Sequence, residues 1–304
     1  MAGFFQSLLH LLALIVLVRL LLPARYAVLN PYAAAADTLL NRILGFLRGG
    51  IPLPPKGLCL ILLGLSLALR AALSYKQGDA TVSMSLFATA VFAPKTFLGW
   101  LWLEVIEFTG YYLNLLSAVF FLRLWHRSRA LPGYTGNLLE LGTHPFSRLN
   151  GWMLAGAVAA LACVFVSMIV GTVPSPIHYT ISDIQNFREA FEALKVSNPF
   201  DLSSLPMPLR LITLAGLTVI DTLGQLQHFL FMLLLLALFA MLFGSPSLRM
   251  FLADMFKLLQ GPLPNLRIGP IDLSPLLTFF VLGALRSLLI VVFLLLIRGL
   301  IHVV

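Results

Sequence analysis

Four ionisable side chains interrupt stretches of sequence that are otherwise apolar: Arg70, Glu104, Glu107 and Arg286. Ionisable residues inside a membrane are costly, face the protein interior and usually pair with one another. We therefore predict one intramembrane charge cluster in which Glu104 and Glu107 pair with Arg70 or Arg286. As structure, such a cluster would fix how the helices dock. As function, it could bind an ion, relay protons or contact another subunit.

The positions of these residues along their apolar runs make this pairing geometrically reasonable. Glu104 and Glu107 are one helical turn apart and lie about 9 to 15 Å from the outer end of their run. Arg286 lies roughly 18 Å from the cytoplasmic end of its run, and Arg70 lies at a similar depth. In a hydrocarbon core about 30 Å thick, all four fall in the outer half.

Composition identifies the class of protein that must hold these charges. Of the 304 residues, 60% are hydrophobic and 11% are charged, and the mean hydropathy is +0.96. Soluble domains are only about 45 to 50% apolar, so the chain is predicted to be a polytopic membrane protein. Its net charge of +8 fits loops that face an anionic membrane surface, and no nucleic-acid partner is expected. Cys59 and Cys163 are far apart, which gives no disulfide or metal framework.

Six apolar runs are long enough to cross a bilayer. They are residues 4–22, 58–74, 97–125, 152–173, a run that starts at about residue 225 within 209–243, and 275–301. A secretory signal peptide is the alternative for the first run, but a basic segment before it is missing. Residues 209–222 are predicted to be an interfacial lead-in to the fifth span, although they could instead be part of a span.

Two amphipathic helices are predicted between these spans. The first follows Asn30, a good N-cap residue, and Pro31, which suits the first helical position. The second follows Ser245 and Pro246. Both should lie in the membrane interface. Residues 75–97 are predicted to form a loop with a short apolar piece, and the acidic stretch 172–208 a small surface helix that begins with a capping box at Ser182.

The distribution of basic residues predicts the topology. Eleven lysine and arginine residues fall in loops on one side and five on the other, so the richer side is assigned to the cytoplasm and both termini to the outside. Both amphipathic helices are then cytoplasmic. Asn30-Pro31 and Ser245-Pro246 differ by 215 positions, and Ala68 to Arg70 and Ala284 to Arg286 by 216. The hairpins 1–74 and 208–304 are therefore predicted to be parallel repeats that flank an inserted hairpin, 75–207.

The second hairpin resembles the YggT/YlmG family of small membrane proteins of bacteria and plastids. The residues that carry the resemblance are Ser245, Pro246, Asp254, Leu263, Pro264, Gly269, Pro270, Ile271, Asp272, Leu273, Ser274 and Pro275. The first hairpin has Asn30, Pro31 and Asp37, but residues 51–57 replace the Ile-Asp-x-Ser-Pro entry. The resemblance covers roughly residues 5–74 and 220–301. It implies the bacterial inner membrane and a role in membrane organisation, division, osmotic tolerance or plastid cytochrome assembly.

The Asp272, Ser274 and Pro275 segment has two interpretations. Pro275 suits the first position of the last membrane helix, where Ser274 can cap free backbone N–H groups and a nearby carboxylate suits the helix dipole. Alternatively, Asp272 contacts an ion or a partner on the cytoplasmic face.

Sequence motifs for catalysis are missing, since the chain has no H-E-x-x-H, no G-x-S-x-G and no phosphate-binding glycine loop. The six histidines have no ligand spacing, so polar or interfacial roles are expected and no metal or cofactor: His10, His126, His144, His178, His228 and His302. We therefore predict an all-α membrane protein of about six transmembrane helices that is not an enzyme. One hypothesis is a scaffold, assembly factor or accessory subunit in contact with the lipid bilayer and other integral membrane proteins. The other is a small channel or transporter for ion or osmotic balance.

Overall fold

The computed structural model describes residues 2–21, 30–48, 54–77, 80–85, 88–92, 94–172, 206–243, 246–268 and 271–303. Within these ranges lie nine α-helices: α1 (Ala2–Leu21), α2 (Pro31–Arg48), α3 (Pro55–Gln77), α4 (Phe97–His126), α5 (Gly133–Gly142), α6 (Gly151–Thr172), α7 (Met207–Phe243), α8 (Pro246–Gln260) and α9 (Ser274–Val303). The predicted surface helix after Ser182, and the motif residues Ser245, Gly269 and Pro270, lie outside the described residues.

Among the residues that the structure describes, five helices are long and apolar enough to span a membrane. They are α3, α4, α6, α7 and α9, whose candidate spans are Pro55–Tyr75, Phe97–His126, Gly151–Thr172, Met207–Leu238 and Ser274–Ile297. Helix α1 contributes a shorter apolar stretch, Leu8–Leu20. The predicted helical, multi-pass membrane architecture is thereby confirmed, whereas the count of six spans stays a prediction.

Helix α7 is continuous over 37 residues, so the prediction of a separate interfacial lead-in at 209–222 is wrong. No proline follows Pro208 until Pro246, so the backbone hydrogen bonding has no obligatory break. Polar residues of this stretch are buried against other helices: Thr213 is fully buried, and Asp221 and Thr222 are each 2% exposed. Burial inside the protein explains how α7 carries them within an apolar run.

The region between α3 and α4 is not the predicted loop. Strands β1 (Ala80–Ser85) and β2 (Ala88–Phe92) form an antiparallel hairpin in which Ala80 is opposite Phe92 and Val82 is opposite Ala90. Both strands contain valine and threonine, whose β-branched side chains favour extended backbone. A second, minimal hairpin consists of β3 (Arg267–Ile268) and β4 (Ile271–Asp272) and precedes α9.

Helix α4 connects the helices that precede it in the chain with those that follow it. Helix α1 packs on α3, α3 on α4, α4 on both α6 and α7, and α7 on α9. A core of buried side chains joins α4, α6 and the start of α7 and includes Ile106, Leu113, Val166 and Leu214. Gly110 allows this close packing, because a Cβ there would lie 2.8 Å from the Phe165 ring. The inserted segment is thus part of the central core.

The short helices α2, α5 and α8 pack together, since α5 contacts both α2 and α8. Helix α2 is amphipathic: it buries Leu40 and Leu44, whereas Asn41 and Arg42 are exposed. The predicted N-cap is confirmed, because the Asn30 side-chain oxygen accepts hydrogen bonds from the backbone N–H groups of Tyr32 and Ala33 at 3.0 and 3.2 Å.

Candidate functional site: two intramembrane ion-pair centres

Arg70 on α3 forms ion pairs with two carboxylates of α4. Its Nε lies 2.8 Å from Oε2 of Glu104, and its Nη2 donates to Oε2 of Glu107 at 2.8 Å. The side chains of Arg70 and Glu104 are 8% and 4% exposed, whereas that of Glu107 is 28% exposed. Of the two arginines predicted as partners of the glutamates, Arg70 is the one that pairs with both.

Two further polar side chains complete this group. Arg70 contacts Nδ1 of His10 on α1, and the Ser74 hydroxyl donates to Oε1 of Glu104 at 2.9 Å. The His10 ring also packs against Tyr111, with centroids 3.8 Å apart. We call His10, Arg70, Ser74, Glu104 and Glu107 the Arg70 cluster. It joins α1, α3 and α4.

Helical spacing places these side chains together. Arg70 and Ser74 are four residues apart on α3, and Glu104 and Glu107 are three apart on α4, so each pair lies on one helix face. His10 was not predicted to belong to the cluster. The signal for it was its isolation as a polar residue in the first apolar run, but nothing in the sequence shows that α1 packs on α3.

Arg286 is not part of this cluster, so the prediction of one four-residue group is wrong. Its Nη2 donates to Oδ1 of Asp221 on α7 at 3.0 Å, and the two side chains are 15% and 3% exposed. Gly224 lies three residues beyond Asp221 and leaves room for the guanidinium, since a Cβ there would be 2.8 Å from Nε of Arg286. The depth of Arg286 in its apolar run suggested that it pairs with Glu104 or Glu107. However, α9 packs on α7, and the carboxylate that Arg286 contacts there is that of Asp221.

Outside the candidate spans, α5 is held by hydrogen bonds from two residues, Asn30 before α2 and Asp254 on α8. Asn30 is fully buried and its amide donates to the Tyr134 carbonyl at 2.6 Å. Asp254 on α8 accepts from the Thr135 backbone N–H at 2.8 Å, which satisfies a free donor at the start of α5. Gly133, at φ +77°, allows the close approach, because any side chain there would meet the Asp254 carboxylate.

The same junction contains aromatic contacts and further hydrogen bonds. The rings of Tyr32 on α2 and Phe251 on α8 meet edge to face with centroids 5.4 Å apart. Burial is the largest cause that raises the pKa of Tyr32, and the Asp254 carboxylate is the next. At the end of α4, Arg123 pairs with Glu140 of α5 at 2.7 Å. His126 bonds the Leu258 carbonyl of α8 at 2.7 Å, so the end of α4 is attached to both short helices.

The turn into α9 differs from its predicted form. Helix α9 begins at Ser274, so Pro275 is its second residue. The fully buried Ser274 hydroxyl accepts from the Leu266 backbone N–H at 2.8 Å instead of capping α9, and Oδ1 of Asp272 accepts from the Ser274 N–H at 2.9 Å. The hairpin β3–β4 brings Leu266 back to the helix start, and this local fold explains the change of partner.

Within the described ranges, no group of three or more histidine, cysteine, aspartate or glutamate residues could hold a metal ion. Comparison with known proteins gave no matching family model, no matching curated protein and no matching solved structure.

Proposed function

We propose that the chain is a non-catalytic integral membrane scaffold, assembly factor or accessory subunit that packs laterally against other membrane proteins. The observation that carries the proposal is the internal pairing of the intramembrane arginines. Arg70 bonds to acids of α4 and Arg286 to an acid of α7. Each pair connects neighbouring helices, which is the arrangement expected of charges that fix a rigid frame.

The outward surface of the helices supports lateral packing. Large apolar side chains are exposed on α3, α6 and α9, and Trp152 at the start of α6 is 92% exposed. On α6 the exposed side also carries small residues, Gly156 and Gly171, at which a Cβ would meet nothing within 4 Å. Such surfaces suit contact with lipid and with the helices of a partner.

The proposal also includes the number of spans, the membrane, the topology and the family. We infer six spans, a bacterial inner membrane location, termini on the outer side and membership of the YggT/YlmG family. The order of a long helix, an amphipathic helix and a second long helix occurs in α1–α3 and again in α7–α9. This recurrence supports the parallel repeat, and the docking of Asn30 and Asp254 on α5 gives two of the motif-like residues a structural role.

A small channel or transporter is the second candidate, favoured by the partial exposure of Glu107 within the Arg70 cluster. Reconstitution of the purified protein into liposomes, with ion and proton flux as the measurement, separates the candidates. The scaffold proposal expects flux equal to that of empty liposomes. Flux that is lost in Glu104→Gln, or in Arg286→Gln, would contradict it and establish transport.

A further inference from the structure

The charges of the Arg70 cluster do not balance. It contains one guanidinium and two carboxylates, and within the part of the chain that the structure describes, Arg70 is the only cation within ion-pair distance of either glutamate. The described ion pair between Arg286 and Asp221 provides a contrast in the same protein, because it joins one cation to one anion. A buried charge without compensation is strongly disfavoured in an apolar medium, and a carboxylate then takes up a proton.

We propose that the Arg70 cluster holds one exchangeable proton, carried by the Glu104 and Glu107 carboxyl pair. With this proton the cluster is neutral. The inference goes beyond the scaffold role, since it assigns a ligand to a site whose architectural function does not require one.

The histidine of the cluster does not supply the missing positive charge. Arg70 contacts Nδ1 of His10, and a guanidinium can only donate, so Nδ1 accepts and the ring is neutral with its hydrogen on Nε2. Protonation of Nδ1 would remove this acceptor and place two cations in contact. His10 is 7% exposed and its Nε2 is buried without a hydrogen-bond partner, so a second charge on the ring would also lack solvation.

The surroundings favour a proton over a metal ion. The ring contacts of His10 with Tyr111 and Phe108 close one side of the cluster with aromatic surface. The other charged residues on α1, α3, α4 and α7, or directly before α4, are Arg19 on α1, Lys56 and Lys76 on α3, Lys95 before α4, Arg123 on α4, and Arg210 and Asp221 on α7. Arg19 pairs with Asp37. No described set of ligands suits a metal ion, and two acids that share one cation behave as a coupled pair with one proton between them.

Glu107 provides the route for exchange. It is the one acid of the pair with substantial exposure, 28% against 4% for Glu104. It lies about 15 Å along α4 from Phe97, at 1.5 Å per residue. The proton comes from water on the side of the membrane at which α4 begins, and it forms an O–H bond on a carboxylate oxygen. Only that bond forms when the proton is taken up and breaks when it is released.

Infrared difference spectroscopy of the full-length protein in liposomes tests this proposal, because protonated and ionised carboxyl groups absorb separately. At neutral pH we expect one protonated carboxyl band that disappears at alkaline pH. Glu107→Gln and Glu104→Gln should each abolish the band, since either leaves one cation and one anion. Asp272→Asn is the control, because it replaces a carboxylate outside the cluster and keeps an acceptor oxygen for the Ser274 N–H, and it should leave the band unchanged.

Two results would overturn the inference. One is the lack of any protonated carboxyl band at neutral pH in a folded wild-type protein, which would mean that water or a cation compensates both carboxylates. The other is a band that disappears when sodium is added at constant pH, which would identify a metal cation as the ligand. Both results leave the liposome flux of the scaffold proposal unaffected, so the two proposals fail separately.

Discussion

Arg286 on α9 donates to the Asp221 carboxylate on α7 at 3.0 Å, and this bond joins two membrane-spanning helices. We expect Asp221→Leu to destabilise the protein by about 3 to 5 kcal/mol, because it leaves a buried guanidinium without its acid. The double variant Asp221→Leu with Arg286→Met should recover most of this loss, since it removes both charges. Thermal unfolding in mild detergent measures both. A double variant no more stable than the single one would contradict a simple pair.

Gly224 is expected to be intolerant of a side chain. In Gly224→Ala the new Cβ would lie 2.8 Å from Nε of Arg286, and displacing that side chain should cost about 1 to 3 kcal/mol, the usual range for overpacking. Gly156→Ala on α6 is the control, because its Cβ would meet nothing within 4 Å. Unfolding temperatures measured side by side check the difference. Equal effects of the two substitutions would show that Arg286 can move freely.

Asn30 should contribute more than an ordinary helix cap. Asn30→Ala removes the cap of α2, worth about 0.5 to 2 kcal/mol, together with the donor to the Tyr134 carbonyl. We expect a loss at the upper end of that range and easier proteolysis of the α4–α5 segment. Thr38→Ala, at an exposed position of α2, is the control. A loss no greater than that of Thr38→Ala would mean that α5 is held mainly by α8.

The turn before α9 allows a structural role to be separated from a binding role. Ser274→Ala removes the acceptor of the Leu266 N–H in a fully buried position and should cost about 1 to 3 kcal/mol. Asp272→Asn keeps an acceptor oxygen for the Ser274 N–H and should leave thermal stability nearly unchanged. If Asp272→Asn keeps its stability but loses a partner that co-purifies with the wild type, the turn is a binding site.

The sequence predicted the elements well where long apolar runs determine them. Helix α4 was expected at 97–125 and spans Phe97–His126, and α6 was expected at 152–173 and spans Gly151–Thr172. Hydrophobic length alone gives these boundaries. The β1–β2 hairpin was missed because this region was judged only by whether it could span a membrane, although apolar and polar residues alternate from Ala80 to Ser85 as in a strand.

The candidate site was predicted in part, for a related reason. The spacing of Glu104 and Glu107 and the depths of the arginines limited the partners of the glutamates to Arg70 or Arg286, and the structure has Arg70. The partner of Arg286 was missed because residues 209–222 were assigned to the interface, which placed Asp221 outside the membrane. The depth of a residue along its helix also does not determine which neighbouring helix its side chain faces. His10 was therefore not recognised as a contact of Arg70.

Purification of the full-length protein from its native membrane in mild detergent, with quantification of every co-purifying protein, tests the scaffold role most directly. We expect at least one integral membrane protein in constant stoichiometry, retained through size-exclusion chromatography. Its retention should fall in variants that place bulky residues on the exposed side of α6, such as Gly156→Leu, without loss of thermal stability. A protein that purifies alone and conducts ions in liposomes would contradict the account.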